Sequence, residues 1–335
     1  MLPIIPIALP TPWPGLGAAF AYLIPQEPIT LIDAGLGTPE AKEALLGALA
    51  AVGVRLDQIK RVLATHSHVD HIGLAGWIQQ EAGAELWIHP FETGKLRRTE
   101  WWAAGQRRFL QESGVDESVV HTFFPAQIKR LDRAITPFKE WRFLREGESI
   151  PFEAGELTVL HTPGHSLGHL SFLEEATGRL IGGDILLEGQ TPNPLMETLP
   201  TQAELDPGAP EWQRLRPVPY APYRAQTVVQ FWATLDRLTT SGIREVFPGH
   251  GNRFTDLTKV INVYRGRRER KLERLRNRMT EPLTALALMQ VIFPHLGNND
   301  LHLGLSDIVG HLDMLYMDGV VSVESGPAGL LYRVK

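Results

Sequence analysis

The stretch THSHVDHIG, residues 65–73, is the most informative part of this sequence. It places three imidazoles and a carboxylate within six residues, directly after the apolar run RVLA, which is typical of a buried strand. Side chains two residues apart in an extended segment project to the same side, so His66 and His68 can bind one ion. If the chain then turns into a helix, Asp70 and His71 point elsewhere and can bind a second ion.

Three more candidate ligands follow apolar, strand-like runs further along the chain. They are His165 in HTPGHSLGH, Asp184 in GGD and His250 in FPGHG. Neutral imidazoles and ionised carboxylates coexist near neutral pH, and both bind divalent cations. Because the chain contains no cysteine, any metal must be held by nitrogen and oxygen alone. The sequence therefore predicts a site for two divalent metal ions, with zinc preferred and manganese or iron as alternatives.

The motifs HSHVDH, PGHS, GGD and PGHG, in this order, resemble the metallo-β-lactamase superfamily over about residues 15–255. The resemblance implies an α/β protein with an αβ/βα sandwich, in which two mixed sheets pack face to face between outer helices and the site lies along one sheet edge. It also implies a role for each motif residue. His66, His68 and His165 would bind the first ion, Asp70, His71 and His250 the second, and Asp184 would bridge the two.

Other polar residues near these motifs are expected to support the ligands. The resemblance places Asp33, in LIDAG, beside the metal as a carboxylate that orients ligand imidazoles. His169 occupies a position that does not bind metal and is a candidate for hydrogen bonding to the substrate or to the ligands. His161 also lies outside the ligand positions, and His89, in WIHP, is interpreted as a structural residue.

The remaining sequence suggests two domains. Residues 1–258 are predicted to form the catalytic domain, with a helical insert at about 91–150 and a proline-rich ordered loop at 188–225. Residues 259–335 show a basic helix followed by two helices and a hairpin, the outline of a winged-helix-like domain. Prolines interrupt the apolar start of the chain, which favours an edge strand and loop over a targeting or membrane segment. Together with the absent cysteines, this favours a cytoplasmic protein.

Two metal ions can hold a bridging hydroxide and polarise an electrophile, which is the chemistry of a hydrolase. Asp70 can orient that hydroxide besides binding metal, so it is also the candidate catalytic residue. A carboxylate in the position of Asp184 argues against β-lactam hydrolysis and resembles glyoxalase II, the hydroxyacylglutathione hydrolase. The first hypothesis is therefore hydrolysis of a small-molecule carboxyl ester or thioester. The C-terminal outline differs from the glutathione-binding helical domain of glyoxalase II, which leaves the substrate open.

The C-terminal region supports two alternatives. Residues 259–278 carry nine Lys or Arg against two Glu in a chain of net charge −5, and a polyanion needs such a local basic surface. This region resembles the β-lactamase-like protein 2 group, whose mitochondrial member is an endoribonuclease, so single-stranded RNA is the second substrate hypothesis. A non-enzymatic DNA-binding metal sensor is the third, although LSDIVGHLDMLYMDG lacks the Arg or Lys of a groove-reading helix. This domain is otherwise expected to pack on the core, shape the pocket mouth or form a homodimer.

Overall fold

The computed structural model describes residues 1–200, 215–297 and 300–335. The strands are β1 (Ile5–Leu9), β2 (Ala19–Ile24), β3 (Thr30–Ile32), β4 (Arg61–Leu63), β5 (Glu85–Ile88), β6 (Arg142–Phe143), β7 (Ser149–Phe152), β8 (Gly155–His161), β9 (Leu170–Glu174), β10 (Arg179–Gly183), β11 (Pro217–Val218), β12 (Ala221–Ala225), β13 (Glu245–Pro248), β14 (Val321–Gly326) and β15 (Gly329–Val334). Part of the predicted loop 188–225, residues 201–214, lies outside the described residues.

The helices alternate with the strands in the first 260 residues and dominate after them. They are α1 (Pro39–Ala51), α2 (Val69–Ile72), α3 (Ala75–Ala82), α4 (Thr93–Arg97), α5 (Glu100–Glu112), α6 (Glu117–Ala134), α7 (Thr227–Leu238), α8 (Leu257–Arg278), α9 (Ala285–Ile292) and α10 (Leu301–Met317). Thr38 caps α1, accepting a hydrogen bond from the Ala41 amide at 3.3 Å. Within the described residues, none of these helices is both long and apolar enough to cross a membrane.

Two mixed sheets form the centre of the molecule. The first has the strand order β1-β2-β3-β4-β5-β6 and the second the order β13-β10-β9-β8-β7. In the first sheet β3 to β6 run parallel, whereas β1, β2 and β3 pair antiparallel. In the second, only β10 and β13 are parallel. The N-terminal segment therefore forms an edge strand, as the sequence indicated.

Three hydrophobic layers hold the sandwich together. Between the sheets, Ile24 and Leu63 of the first sheet pack with Val159 and Phe172 of the second. The outer face of the first sheet packs on α1 and α3, and that of the second packs on α7 and the start of α8. This is the predicted αβ/βα sandwich. Strands β3 and β4 are covered on both faces, so all three residues of each are buried.

A fourth core joins segments that are far apart in sequence. Phe109 of α5 and Val120 of α6 are buried together with Leu288 of α9, Leu312 of α10 and Tyr332 of β15. Helices occupy residues 93–134 of the predicted insert, after which the chain rejoins the first sheet as β6. The insert and the C-terminal region thus bury their apolar faces against each other.

Candidate metal centre

The ends of several strands bring the predicted ligands into two adjacent clusters. After β4 the chain passes through His66 and His68 into the short helix α2, which carries Asp70 and His71. The nitrogen His68 Nδ1 lies 2.9 Å from His66 Nε2 and 2.9 Å from His165 Nε2. Three ring nitrogens therefore point at one position, which is the arrangement expected of ligands to one ion.

The second cluster joins the other predicted ligands. His250 Nε2 lies 3.2 Å from Asp70 Oδ2 and 3.6 Å from Asp184 Oδ2, and His71 Nε2 lies 3.5 Å from Asp184 Oδ1. Asp184 Oδ2 is also 3.6 Å from His165 Nε2 of the first cluster, so its carboxylate lies between the two groups. Among the residues that the structure describes, His71 Nε2 and Asp184 Oδ1 are buried and have no hydrogen-bond partner. Such atoms are costly unless a ligand satisfies them, and a cation does so.

Hydrogen bonds from Nδ1 to oxygen atoms orient four of the ligand imidazoles and favour the tautomer whose Nε2 can bind an ion. The acceptors differ in kind: Thr65 Oγ1 for His66 at 2.9 Å, Asp33 Oδ2 for His71 at 2.8 Å, the Asn193 carbonyl for His165 at 3.0 Å and the Ala18 carbonyl for His250 at 2.9 Å. The rings of metal ligands are commonly oriented in this way. The donor set and its tautomers therefore fit divalent cations.

Asp33 organises both clusters without facing either ion position. Its Oδ1 accepts the Thr65 amide and its Oδ2 accepts the Thr65 hydroxyl, each at 2.8 Å, besides the bond from His71. Thr65 in turn holds His66. The backbone of Asp33 adopts φ 60°, a left-handed conformation that Asp tolerates better than most residues and that turns the chain after β3.

His169 is fully buried and holds the backbone of Asp184. Its Nε2 accepts the Asp184 amide at 3.0 Å and its Nδ1 bonds to Thr162 Oγ1 at 2.8 Å. Burial lowers the pKa of His169 to about 3, so the ring is neutral. His161 and His89 stack on each other with ring centroids 4.4 Å apart, outside both clusters.

The electrostatics of the two clusters differ. Burial, together with the neighbouring imidazoles, lowers the pKa of His66 well below its ordinary value. Burial acts in the same direction on His71, but Asp184, Asp33 and Asp70 outweigh it and raise the pKa of His71. Against the effect of burial, His71 and His250 lower the pKa of Asp184. The second cluster therefore favours a positive charge at its centre.

One important residue, Glu92, was not predicted from the sequence. This fully buried carboxylate accepts the Ser67 amide at 2.9 Å with Oε2 and the Gly168 amide at 2.8 Å with Oε1, and it also accepts the Ser67 hydroxyl. It thus ties the His66–His71 turn to the loop that carries His165. Its only sequence signal is an acidic residue soon after β5, the strand beside β4.

Lys95 lies between two buried carboxylates, 2.9 Å from Glu92 and 2.6 Å from Glu197. One ammonium cannot fully compensate both. It lowers the pKa of Glu92, whereas burial and the Glu92 charge raise the pKa of Glu197 to about 7.

This cluster predicts a pH dependence of stability. Because folding raises the pKa of Glu197, the protonated side chain stabilises the folded protein fully only below about pH 4.5. As the pH rises towards 7, the free energy of unfolding falls by roughly 3 kcal/mol from this group. We expect Glu197→Gln to remove this loss, so that the variant gains stability relative to wild type between pH 5 and pH 8. Urea unfolding of the metal-free proteins measures the difference. The exposed Glu43→Gln is the control, and parallel pH profiles of wild type and Glu197→Gln would contradict the assignment.

The aromatic and basic residues of the insert mostly serve packing. Trp102 is buried against Phe124 with ring centroids 6.0 Å apart. Arg108 pairs with Glu112 at 2.7 Å and lies 4.4 Å from the Tyr223 ring. Trp102 and Arg108 therefore make packing and ion-pair contacts within the protein.

The fold and the site define the class of protein. Residues 14–250 match the metallo-beta-lactamase superfamily, and the chain belongs to that superfamily. It is 32% identical over 324 residues to a probable metallo-hydrolase from Bacillus subtilis, an alignment that covers 95% of this chain and 94% of the relative. A crystal structure of a metallo-beta-lactamase family protein from Thermus thermophilus superposes with TM-score 0.80 at 27% identity, over 99% of this chain and 98% of that one. The protein is therefore a metal-dependent hydrolase of this superfamily.

Two further relatives match part of the chain. A hydroxyacylglutathione hydrolase from Haemophilus influenzae is 29% identical over 131 residues, which is 39% of this chain and 51% of the relative. A human acyl-coenzyme A thioesterase is 30% identical over 174 residues, which is 49% of this chain and 56% of the relative.

Proposed function

We propose that this protein hydrolyses a small-molecule thioester or carboxyl ester with the help of two divalent metal ions held by the two ligand clusters. The observation that carries the proposal is the convergence of seven imidazole and carboxylate side chains on two adjacent positions, with Asp184 between them. His66, His68 and His165 would hold one ion, and Asp70, His71 and His250 the other. Bound there, the ions would lower the pKa of a water molecule and polarise the substrate carbonyl.

The side chains of the chain itself supply the rest of the chemistry. Burial raises the pKa of Asp70, but His71 and His250 outweigh it and keep the carboxyl ionised near neutral pH. An ionised Asp70 can accept a hydrogen bond from the attacking water and so orient it. His169 and Asp33 hold Asp184 and His71 in place, which limits the reorganisation needed during the reaction.

One observation supports an acyl substrate. The partly matching relatives carry names that describe hydrolysis of acyl thioesters, one of glutathione and one of coenzyme A. No side-chain nucleophile is required when an activated water attacks the carbonyl. The absence of cysteine from the chain is consistent with this chemistry.

Hydrolysis of single-stranded RNA is the second candidate, favoured by the basic helix α8. Within the part of the chain that the structure describes, however, five of its nine basic side chains contact other segments. These contacts are Arg265 to Asp236, Arg267 to Gly189 and Thr191, Arg268 to Trp232, Lys271 to Asp307 and Arg274 to Ile292. Arg270, Arg276 and Arg278 are exposed and are the suitable residues for a test. The DNA-binding alternative is weakened further because Asp307, His311 and Asp313 of α10 are buried.

One assay on purified protein of measured metal content separates these candidates. We expect turnover of acylglutathione or acyl-coenzyme A thioesters that is lost on chelation and returns with zinc, manganese or iron. Replacing Arg270, Arg276 and Arg278 with glutamine should leave that turnover unchanged. RNA cleavage that weakens as the salt concentration rises, and that falls and becomes less salt-dependent in the triple variant, would replace the first candidate by the second if no thioester turnover is found.

A further inference from the structure

Residues 184–196 follow β10 and begin with the candidate ligand Asp184. They run past the C-terminal helices and include Asn193, which bonds to a second candidate ligand, His165. Within this segment, the Asn193 carbonyl accepts the Nδ1 proton of His165 at 3.0 Å, and the Leu195 amide donates to the His165 carbonyl at 3.3 Å. These two bonds pair the segment with His165 and set the direction of its ring. The position of residues 193–195 therefore decides where His165 Nε2 points.

Helix α8 holds the first half of this segment. The Tyr264 hydroxyl donates to the Leu187 carbonyl at 2.6 Å and accepts the Leu187 amide at 2.7 Å. One turn later, Arg267 donates to the Gly189 carbonyl at 2.9 Å and to Thr191 Oγ1 at 3.0 Å. Tyr264 and Arg267 lie three residues apart, on one face of the helix, so α8 forms hydrogen bonds with the segment at successive positions.

Helix α10 and the shared core hold the second half. Asn193 Nδ2 donates to the Leu303 carbonyl of α10 at 3.0 Å. Met196 is 4% exposed and lies in the core formed by α5, α6, α9 and α10. The segment that orients His165 is thus attached to the C-terminal region on both sides of Asn193.

We propose that the C-terminal region is a structural part of the metal site, in which Arg267 and Asn193 act as positioning residues for His165. They keep the Asn193 carbonyl where it fixes the His165 proton on Nδ1, so that Nε2 remains a metal ligand. The inference rests on the proposed function, because it requires an ion at His165. It assigns the C-terminal helices a role that needs neither nucleic acid nor a second chain.

The test uses full-length protein with cobalt(II) as the probe ion, whose visible absorption reports ligand geometry. We expect Arg267→Ala and Asn193→Ala each to weaken cobalt affinity by about 10-fold, the lower end of the effect of losing a direct partner of a ligand, because the Asn193 carbonyl itself remains in both variants. Both should also change the cobalt absorption spectrum. Arg267→Lys, which keeps one donor, should recover part of the affinity. Arg270→Ala removes the same charge from the exposed face of the same helix and should match wild type.

The controls separate this inference from the proposed function. If wild type binds no cobalt, the proposed function fails. Suppose that wild type binds cobalt and hydrolyses thioesters. If Arg267→Ala and Asn193→Ala then have the same cobalt affinity and absorption spectrum as wild type, only the positioning role is wrong. Unfolding midpoints of the metal-free proteins show which variants are folded. Should Arg267→Ala not fold, Asn193→Ala and Arg267→Lys decide the question by the same two measurements.

Discussion

Asp184→Asn is expected to reduce the rate of hydrolysis by about 1,000-fold or more. A metal site stabilises the transition state by several kcal/mol, and each ~1.4 kcal/mol of stabilisation changes the rate tenfold. Asp184 approaches both clusters: Oδ2 lies 3.6 Å from His165 and from His250, and Oδ1 lies 3.5 Å from His71. The amide keeps the shape but loses the charge and one oxygen ligand. We expect the purified variant to retain fewer metal ions per chain than wild type.

The electrostatics give this prediction a second readout. His71 depends on Asp184 and two other carboxylates for its raised pKa. Loss of the Asp184 charge should therefore lower the affinity for any divalent cation, measured by competition with a chromophoric chelator. The control is Asp236→Asn, an exposed residue paired with Arg265 at the surface. Wild-type metal content and turnover in Asp184→Asn would contradict the assignment of Asp184 to the site.

The sandwich was predicted from the resemblance of the motifs to a known superfamily, whereas the clustering of the candidate ligands also has a physical reason. Each ligand follows an apolar strand, and strand ends of a sandwich meet along one edge, so the order of motifs alone leads one to expect that His66, His165, Asp184 and His250 converge. Within each motif, the ligand lies only a few residues from the strand or turn that positions it. Local patterns can be recognised from the sequence itself.

The supporting residues could not be found in this way. Glu92 is 25 residues from Ser67 and 76 from Gly168, and a lone carboxylate has no characteristic spacing. Likewise, the charges of α8 read as a solvated or polyanion-binding face, whereas Arg267 donates to a segment 78 residues earlier. Amphipathic patterns indicate which face of a helix is buried but not what covers it. For the same reason the shared core of the insert and the C-terminal region emerges only in the structure.

Gly249→Ala is the second substitution with a large expected effect, although glycine carries no side chain to the site. A Cβ atom at this position would lie 2.1 Å from Asp184 Oδ1 and 2.8 Å from His71 Cε1. Neither neighbour can move freely, because the Asp184 amide is bonded to His169 and His71 is bonded to Asp33. The added methyl must displace Asp184 from the ion positions or shift the loop that carries His250.

We therefore expect Gly249→Ala to lower metal content and to reduce turnover by more than about 100-fold, at a stability cost of about 1–3 kcal/mol typical of overpacking. Metal analysis, thioester assay and urea unfolding of the metal-free protein measure the three effects. Gly47→Ala is the matched control, since Gly47 is exposed in α1 with open space where the methyl group would lie, and alanine there should stabilise the helix by up to ~1 kcal/mol. Both substitutions add one methyl group. If only Gly249→Ala loses metal and turnover, the cause is the lack of space beside Asp184. Equal metal content in both variants would mean that the loop yields and that the glycine is not required by the metal centre.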